Sequence, residues 1–331
     1  MAAGEGLPKA FATAQFVPPV MVQPFVAKDP LLQFSEKTVE SLAFSEAPPQ
    51  VSEFRRFLRV FMGRKVVLFG LVIIIIFIIV AIFAPFIAPY NPYEPDPSSS
   101  LAPLSAKHLL GTDAIGRDTL SRVIFGSRIS LLVALSAIGF GASAGLVLGL
   151  LAGYFGSVTY QIIMRIVDAL MSFPMILLAL AIASLLGGGL KNIIIALSVG
   201  LVPGYARLMC GMALSVKETD YVMAGRSMGA SHARIMLRHI IPNCLPPLIV
   251  MVTLMIGATI LAEAGLSFLG VGVTPPEAAW GSMINDGYQR IRTYPILSFA
   301  PGVAIMLVVF SFNMVGDGLR DALDPRLRGT L

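Results

Sequence analysis

Charged residues, cysteine and histidine are scarce in this sequence. Of its 331 residues only 13% are charged, and it contains 2 cysteines and 3 histidines. Cys210 and Cys244 lie in or beside apolar runs, where cysteine behaves as a small core residue, so neither a disulfide nor a metal pair is expected. His108, His232 and His239 show no ligand spacing and are expected to be polar surface. No metal-binding residues are therefore predicted.

Nucleotide-binding and membrane-barrel patterns are also missing. The phosphate-loop pattern G-x-x-x-x-G-K-[ST] does not occur, and no glycine is followed by lysine. The roughly 10-residue alternation of hydrophobicity that membrane β-strands require is absent from the sequence. We therefore predict no catalytic residues, no cofactor-binding residues and no enzymatic activity on this chain.

Apolar residues are abundant instead, and they form long runs. They make up 56% of the chain, and a membrane-spanning helix needs about 20 of them in succession. Because exposed backbone polar groups are costly in lipid, we predict an all-α polytopic membrane protein with about six transmembrane helices. The fourth span is the weakest, since Pro203 and Arg207 interrupt it. The predicted spans are residues 66–88, 129–153, 162–186, 191–213, 244–268 and 296–317.

Lysine and arginine divide unequally between the two sides of this arrangement. Six spans place both termini on one side, which carries 16 basic residues against 7 in the opposite loops. Basic residues are enriched in cytoplasmic loops, so both termini and the loop near residue 220 are expected in the cytoplasm. The net charge of +5 has the same explanation and requires no nucleic-acid partner.

The N-terminal region differs in composition from the spans. Residues 1–50 are rich in proline, alanine and polar residues without a strong period, and we expect a disordered or loosely ordered cytoplasmic extension. They lack the pattern of a cleaved signal. In residues 51–65, apolar side chains from Phe54 onward recur at helical spacing opposite three arginines, which predicts an interfacial amphipathic helix. Residues 66–331 are the predicted transmembrane domain.

A glycine stripe marks the second predicted span. Gly141, Gly145, Gly149 and Gly153 lie four residues apart. On a helix they form a smooth surface that another helix can approach closely. The stripe is consistent either with packing inside this chain or with contact to a partner chain.

The loop before this span is rich in paired charges. Thr112 or Asp113 is expected to cap an amphipathic helix on the outer surface. Asp113 with Arg117, and Asp118 with Arg122, have the i,i+4 spacing of ion pairs. Such pairing would explain arginines on the side of the membrane that usually avoids them.

The most polar internal stretch, DYVMAGRSMGASHARIMLRHIIPN, spans residues 220–243. Gly229 is placed to end a first helix in the left-handed conformation, and Ser231 to cap a second one that runs to about His239. Pro242 is expected to stop that helix before the fifth span. The pattern predicts two cytoplasmic helices within residues 217–243.

Small side chains on these helices would let a partner protein approach closely, with arginines at the rim. Tyr221, Ala224 and Met228 share one side of the first helix. The predicted contact residues are Tyr221, Met223, Ala224, Gly225, Arg226, Gly229, Ala230, Ile235 and Pro242.

The stretch YVMAGRSMGASHARIMLRHIIPNCLPPLIV resembles the cytoplasmic coupling motif of ABC importer permeases. More narrowly, it resembles the C-type permease subunit of dipeptide and oligopeptide (peptide/nickel) importers. The resemblance extends to LLGTDAIGRDTLSRVIFGSRISLLV, ILAEAGLSFLGVGVTPPEAAWGSMI and FNMVGDGLRDALDPRLRG, and covers roughly residues 54–329.

Two positions depart from the Glu-Ala-Ala of that motif. The Glu-Ala-Ala of the motif aligns with Met223, Ala224 and Gly225. Methionine therefore replaces the acid, and glycine replaces the second alanine. The motif's glycine falls on Gly229, and its isoleucine and proline fall on Ile235 and Pro242. Because the acid is missing, docking by shape is expected rather than a specific salt bridge.

The resemblance implies the fold of a type I ABC importer permease in the bacterial cytoplasmic (inner) membrane. The implied partners are a second homologous permease chain, two ATPase subunits that bind ATP and Mg, and an extracytoplasmic substrate-binding protein. The implied substrate is a di- or oligopeptide. Related importers carry glutathione or nickel complexes, and the scattered histidines give nickel no support. The alternative from another class is a self-sufficient secondary transporter.

Charged residues within the spans are costly in the membrane and are therefore functional candidates. Arg165 and Asp168 lie i,i+3 in the third span and are expected to pair with each other. Glu263, in the fifth span, would either face the translocation path or brace the following loop, residues 267–283. Trp280 in that loop is expected to anchor at the outer interface.

Overall fold

Helices form all the regular secondary structure in residues 53–323, the part of the chain that this computed structural model describes. The all-α prediction is confirmed, whereas the expectations for residues 1–50 lie outside the described residues. The helices are α1 (Glu53–Met62), α2 (Lys65–Ile82), α3 (Ala84–Ile87), α4 (Thr119–Phe155), α5 (Ser157–Met171), α6 (Met175–Leu186), α7 (Leu190–Lys217), α8 (Asp220–Ser227), α9 (His232–Ile235), α10 (Ile241–Phe268), α11 (Trp280–Tyr288) and α12 (Ile296–Leu323), with a π-type turn at Met236–Ile240.

Five helical segments in the described part of the chain are long and apolar enough to cross a membrane. They are α2, α4, α7, the run His232–Phe268 and α12, and the bent pair of α5 and α6 makes a sixth if it counts as one span. The prediction of about six spans therefore agrees with the structure. Successive crossings place residues 217–243 on one face, which we call the 220 face, and the loops at 88–118 and 269–295 on the opposite face.

The third predicted span is not one straight helix. α5 ends at Met171, α6 begins at Met175, and the two helices are bent by 89° relative to each other. Pro174 directly precedes α6 with an extended ψ of 132°, and proline lacks the N–H that a continuous helix would use. The expectation of a single helix over 162–186 is thus wrong.

The helix of the second span begins before residue 129, where the span was predicted to start, and takes in part of the segment expected to form a separate surface helix. α4 starts at Thr119, and the carboxylate of Asp118 caps it by accepting hydrogen bonds from the Ser121 backbone N–H (2.8 Å) and hydroxyl (2.7 Å). Thr112 and Asp113 therefore do not cap a separate helix. Asp113 instead accepts from the backbone N–H of Arg117 at 2.9 Å, which closes a turn in the loop.

The glycine stripe packs inside the chain, against α7. A Cβ atom added to Gly141 would lie 2.8 Å from Cβ of Leu201, and one added to Gly153 would lie 2.7 Å from Cβ of Ala213. Both distances are too short for carbon atoms, so a side chain here would push the helices apart. Of the two interpretations that the sequence left open, the structure supports internal packing.

Trp280 is a core residue and not an anchor at the membrane surface. Its side chain is fully buried, and its indole N–H donates to the carbonyl of Val123 at 3.0 Å. Gly126 leaves room for the indole ring, and Phe77 of α2 contacts it edge-on. The sequence-based expectation was wrong because the loop that carries Trp280 folds back between α2 and α4.

The region predicted to be amphipathic contains α1. The rings of Phe57 and Phe61 stack at 5.6 Å, and Arg64, just beyond α1, forms an ion pair with Asp321 of α12. α1 is thereby connected to the last span. Its location in the membrane interface stays a prediction.

Candidate functional site

A Schellman cap ends α8 on the 220 face. Gly229 has a φ of +78°, its N–H donates to the carbonyl of Arg226 at 3.0 Å, and the N–H of Ala230 donates to the carbonyl of Gly225 at 3.1 Å. This pair of bonds requires a left-handed residue at the turn, which glycine adopts without strain. The conformation predicted for Gly229 is confirmed.

The second helix of the loop is continuous with the fifth span. The hydroxyl of Ser231 caps α9 by accepting from the N–H of Arg234 at 3.4 Å. After Ile235 the chain passes through the π-type turn into α10 without a break, and Pro242 lies in the first turn of α10. The expectation that Pro242 stops the helix was wrong.

Apolar side chains fasten this loop to the membrane helices. Val222 of α8 and Ile235 of α9 are fully buried against a cluster that includes Leu150 and Tyr154 of α4 and Met209 of α7. Burial of such side chains stabilises the folded state by about 1.5–3 kcal/mol each. The loop is therefore a folded part of the protein, packed on the ends of two spans.

The outer side of the loop is exposed and partly apolar. Tyr221, Met223, Met228 and Leu237 expose 47%, 45%, 82% and 65% of their surface. Ala224 is exposed among them. An apolar group of this kind on a polar loop is typical of a protein interaction site.

The remaining predicted contact residues are divided between the two sides of the loop. Arg226 and Gly229 are exposed with the apolar group, as is Pro242 at the start of α10. Gly225 is buried and Ala230 is half-buried. The structure thus brings most of the predicted contact residues to one surface but turns Gly225 and Ile235 inward.

Sequence reasoning missed a polar contact beneath this surface. The hydroxyl of Tyr154, at the end of α4, forms a 2.7 Å hydrogen bond with Nδ1 of His232. The guanidinium carbon of Arg226 lies 5.9 Å from the centroid of the Tyr154 ring, within the range of cation–π attraction. Nearby, Nζ of Lys217 donates to the carbonyl of Gly153 at 3.1 Å. A separation of 78 residues between Tyr154 and His232 left no local pattern to reveal the pair.

Asp168 pairs with a different arginine from the one predicted. Its carboxylate forms an ion pair with Arg207 of α7, and the two side chains are 56% and 54% exposed. Arg165 is exposed on the same helix as Asp168. The i,i+3 pairing expected from the sequence is therefore wrong, because α5 packs on α7 through Met164 and Val167 and so places Asp168 beside Arg207.

Glu263 braces the loop that follows its helix. It is fully buried and accepts hydrogen bonds from the hydroxyls of Ser130 (3.1 Å) and Ser267 (2.7 Å). The Ser267 oxygen in turn accepts from the N–H of Val273 at 3.2 Å. Of the two roles considered for Glu263, the geometry supports the bracing role, since a buried carboxylate is retained where hydrogen bonds satisfy it.

Buried charges organise the opposite face. Asp118 lies 2.9 Å from Nδ1 of His108, which is 7% exposed, so His108 is not the surface residue that we expected. Asp113 pairs with Arg117 at 2.7 Å as predicted, and it is also 3.7 Å from Nε of Arg122. The predicted pair of Asp118 with Arg122 is replaced by these contacts.

A cavity of about 170 Å³ lies between the 113–122 segment and α11, and Asp113, Arg117 and Arg122 line it. Asp286 also lines it. Partial burial raises the pKa of the Asp286 carboxyl, and the guanidinium groups of Arg122 and Arg117 act in the opposite direction. The charge clusters thus hold the loops of this face together.

The fold and these sites define a class of protein. It is a multi-pass helical membrane protein that carries a folded, partly apolar loop on one face, and that loop continues directly into a membrane span. The chain belongs to the family described as binding-protein-dependent transport system inner membrane component, which it matches over residues 145–329. Residues 52–103 match the N-terminal TM domain of oligopeptide transport permease C.

Curated relatives cover most of the chain. It is 43% identical to the dipeptide transport system permease protein DppC of Alkalihalophilus pseudofirmus, over 84% of this chain and 91% of the relative. It is 42% identical to the di/tripeptide transport system permease protein DppC of Pseudomonas aeruginosa, over 84% and 93%. The glutathione transport system permease protein GsiD of Pectobacterium atrosepticum is 40% identical, over 83% and 90%.

A solved structure supports the fold. An inward-facing form of the MetNI methionine ABC transporter contains a chain that aligns with a TM-score of 0.51 and 22% identity, covering 62% of this chain and 97% of that one. The described fold is therefore that of an ABC importer permease.

Proposed function

We propose that this chain is a membrane-spanning subunit of an ATP-driven importer of short peptides. The observation that carries the proposal is the group of exposed apolar side chains within residues 220–243. Most of them lie on α8, which shares a buried cluster with α9, and α9 is continuous with a membrane span. The names of the relatives, which are permeases for dipeptides, di- and tripeptides or glutathione, support the substrate class.

The continuous run from His232 to Phe268 suggests how force would pass through the chain. A helix transmits displacement along its axis, and at 1.5 Å per residue a 37-residue run is about 55 Å long. Movement of a partner on the 220 face would therefore tilt the fifth span directly. Binding of the partner on the 220 face and opening of the transport pathway would be linked by a coupling free energy, which acts in both directions.

We propose two ATPase subunits as the partners on this face, with ATP and Mg bound by them. A second homologous permease chain would complete the pathway, and an extracytoplasmic binding protein would deliver peptide to the opposite face. Following the bias of basic residues, the 220 face and both termini lie in the cytoplasm, and the protein resides in the bacterial cytoplasmic membrane.

Reconstitution tests this function. The chain is purified with its permease partner and ATPase subunits in lipid vesicles, and uptake of a labelled dipeptide is measured with ATP and binding protein present. We expect uptake that requires both. Uptake driven by an ion gradient, without ATP or the ATPase subunits, would instead establish a secondary transporter. Labelled glutathione, supplied in a parallel assay, distinguishes the two substrate classes that the relatives represent.

A further inference from the structure

An exposed ion pair lies at membrane depth in this chain. Arg207 lies 10 residues from Lys217 at the end of α7, which is about 15 Å along the helix. Its partner Asp168 is on α5, and more than half of each side chain is exposed. Charges at such a depth are costly in lipid and normally face a partner chain or a water-filled cavity. The pair is therefore a candidate for contact with a polar substrate.

The faces of α5 and α7 that carry the ion pair also border a cavity, about one helical turn from the pair. Gly204 and Gly200 of α7 precede Arg207 at helical spacing, and Met171 of α5 follows Asp168 by three residues. Residues one turn apart lie on the same side of a helix. The cavity is about 360 Å³ in volume. Asp168 and Arg207 do not line it themselves, but each lies about one helical turn from a residue that does.

Four methionines are among the residues that line this cavity. A Cβ atom added to Gly200 would lie 3.2 Å from Cγ of Met175, and one added to Gly204 would lie 3.3 Å from Cε of Met251. Met171 and Met255 complete the set. Methionine side chains are flexible and polarisable, so such a surface adapts to apolar groups of different shape. The two glycines open the space that these side chains border.

A short peptide carries the matching chemistry. It has one ammonium and one carboxylate at its ends, and side chains of varied shape between them. An exposed ion pair has little net stability, because each charge retains part of its solvation, so its members are free to exchange partners. Arg207 is suited to a carboxylate through its planar donors, and Asp168 is suited to an ammonium group.

We propose that Asp168 and Arg207 contact the peptide during translocation, with Arg207 binding its carboxylate and Asp168 its ammonium group. The methionine cavity receives the side chain of the peptide. This inference rests on the proposed function as a peptide permease. It adds a recognition site on the permease itself, separate from the binding protein.

The competing explanation is that the two charges only neutralise each other. Four variants separate the explanations. They are Asp168→Asn, Arg207→Gln, the double variant that carries both changes, and Arg165→Gln, a control that removes another exposed charge from the helix of Asp168. If the charges only neutralise each other, removing both restores a neutral site and uptake returns. If they contact substrate, the double variant remains impaired.

The experiment measures uptake of a zwitterionic dipeptide by the full complex in vesicles, with binding protein saturated by peptide. We expect each single variant to lose about tenfold in uptake, the effect of one charge-assisted contact, and the double variant, which lacks both contacts, to lose at least as much. Arg165→Gln should retain uptake. Uptake by the double variant within about twofold of the unmodified complex would overturn the inference.

A second measurement distinguishes weaker peptide recognition from a smaller amount of correctly folded complex. The ratio of uptake between the free dipeptide and its C-terminal amide is compared in the unmodified complex and in Arg207→Gln, because a ratio is insensitive to the amount of active complex. We expect a preference for the free acid that falls about tenfold in the variant. An unchanged ratio would overturn the assignment of Arg207. Failure of the unmodified complex to import any peptide would overturn the proposed function together with this inference.

Discussion

The hydroxyl of Tyr154 and Nδ1 of His232 lie 2.7 Å apart and join the end of the second span to the loop on the 220 face. Tyr154 is buried, and Phe155 packs edge-on against it with ring centroids 5.1 Å apart. The loop is thus held to α4 by a directional contact as well as by apolar packing. This contact fixes the orientation of α9, which leads into the fifth span.

Removing this hydrogen bond should weaken the transmission of movement. Tyr154→Phe keeps the ring and its packing, so we expect a loss of stability of only about 1 kcal/mol. Because α9 would be less firmly oriented, fewer peptides should be imported per ATP hydrolysed. Tyr160→Phe, on an exposed tyrosine of α5, is the control. Equal transport stoichiometry in the two variants would show that the contact has no part in coupling.

A bulky residue at Ala224 should block docking of the ATPase subunits. Ala224 is exposed beside Met223 on the outer side of α8, and a tryptophan there would project into the partner. We expect Ala224→Trp to reduce uptake at least tenfold, equivalent to about 1.4 kcal/mol of docking free energy, without lowering the melting temperature of the isolated chain. Pull-down of the ATPase subunits measures the docking itself.

Met223→Glu is the control for Ala224→Trp, because it changes the neighbouring exposed residue without adding a bulky ring. It restores the acid of the motif at a position that is 45% exposed, where a carboxylate remains solvated. We expect uptake close to that of the unmodified complex. Loss of ATPase binding in Met223→Glu would indicate that the partner surface is adapted to an apolar side chain here.

Gly229→Val tests the backbone requirement at the end of α8. No atom lies within 4 Å of an added Cβ, so the substitution is disfavoured by the φ of +78° and not by lack of space. A left-handed conformation costs a residue with a Cβ about 1–2 kcal/mol, and a β-branched residue adopts it poorly. We expect uncoupling of ATP hydrolysis from uptake. Asparagine tolerates this conformation, so Gly229→Asn should retain most of the activity.

Several parts of the fold and site were accessible from the sequence because they depend on local spacing. The long apolar runs predicted the spans, and the spacing of Gly229 and Ser231 predicted the two caps of the loop. The partner predicted for Asp168 and the surface locations predicted for His108 and Trp280 were wrong, because the contacts of each are supplied by another element of the fold. Their contacts depend on the packing of α5 on α7 and on loops folding back into the helix bundle.

Glu263→Leu should destabilise the loop on the opposite face. Leucine fits an apolar site but leaves the hydroxyls of Ser130 and Ser267 without their acceptor, and such a loss costs about 1–3 kcal/mol. Glu263→Gln keeps an acceptor oxygen and should cost less. Thermal unfolding of the purified chain in detergent measures both. A Glu263→Leu variant as stable as the unmodified chain would contradict the bracing role.

Substitution within the glycine stripe should disrupt the packing of α4 on α7. A Cβ atom added to Gly145 would lie 2.5 Å from Cβ of Tyr205 and 2.9 Å from the backbone nitrogen of Ala206. Neither atom has room to move without displacing α7, so Gly145→Val should cost at least the roughly 1–3 kcal/mol typical of overpacking. Gly139 lies on the same helix with nothing within 4 Å of its added Cβ, so Gly139→Val should leave the melting temperature nearly unchanged. If both variants melted at the same temperature, the stripe would not be the contact that holds these two spans together.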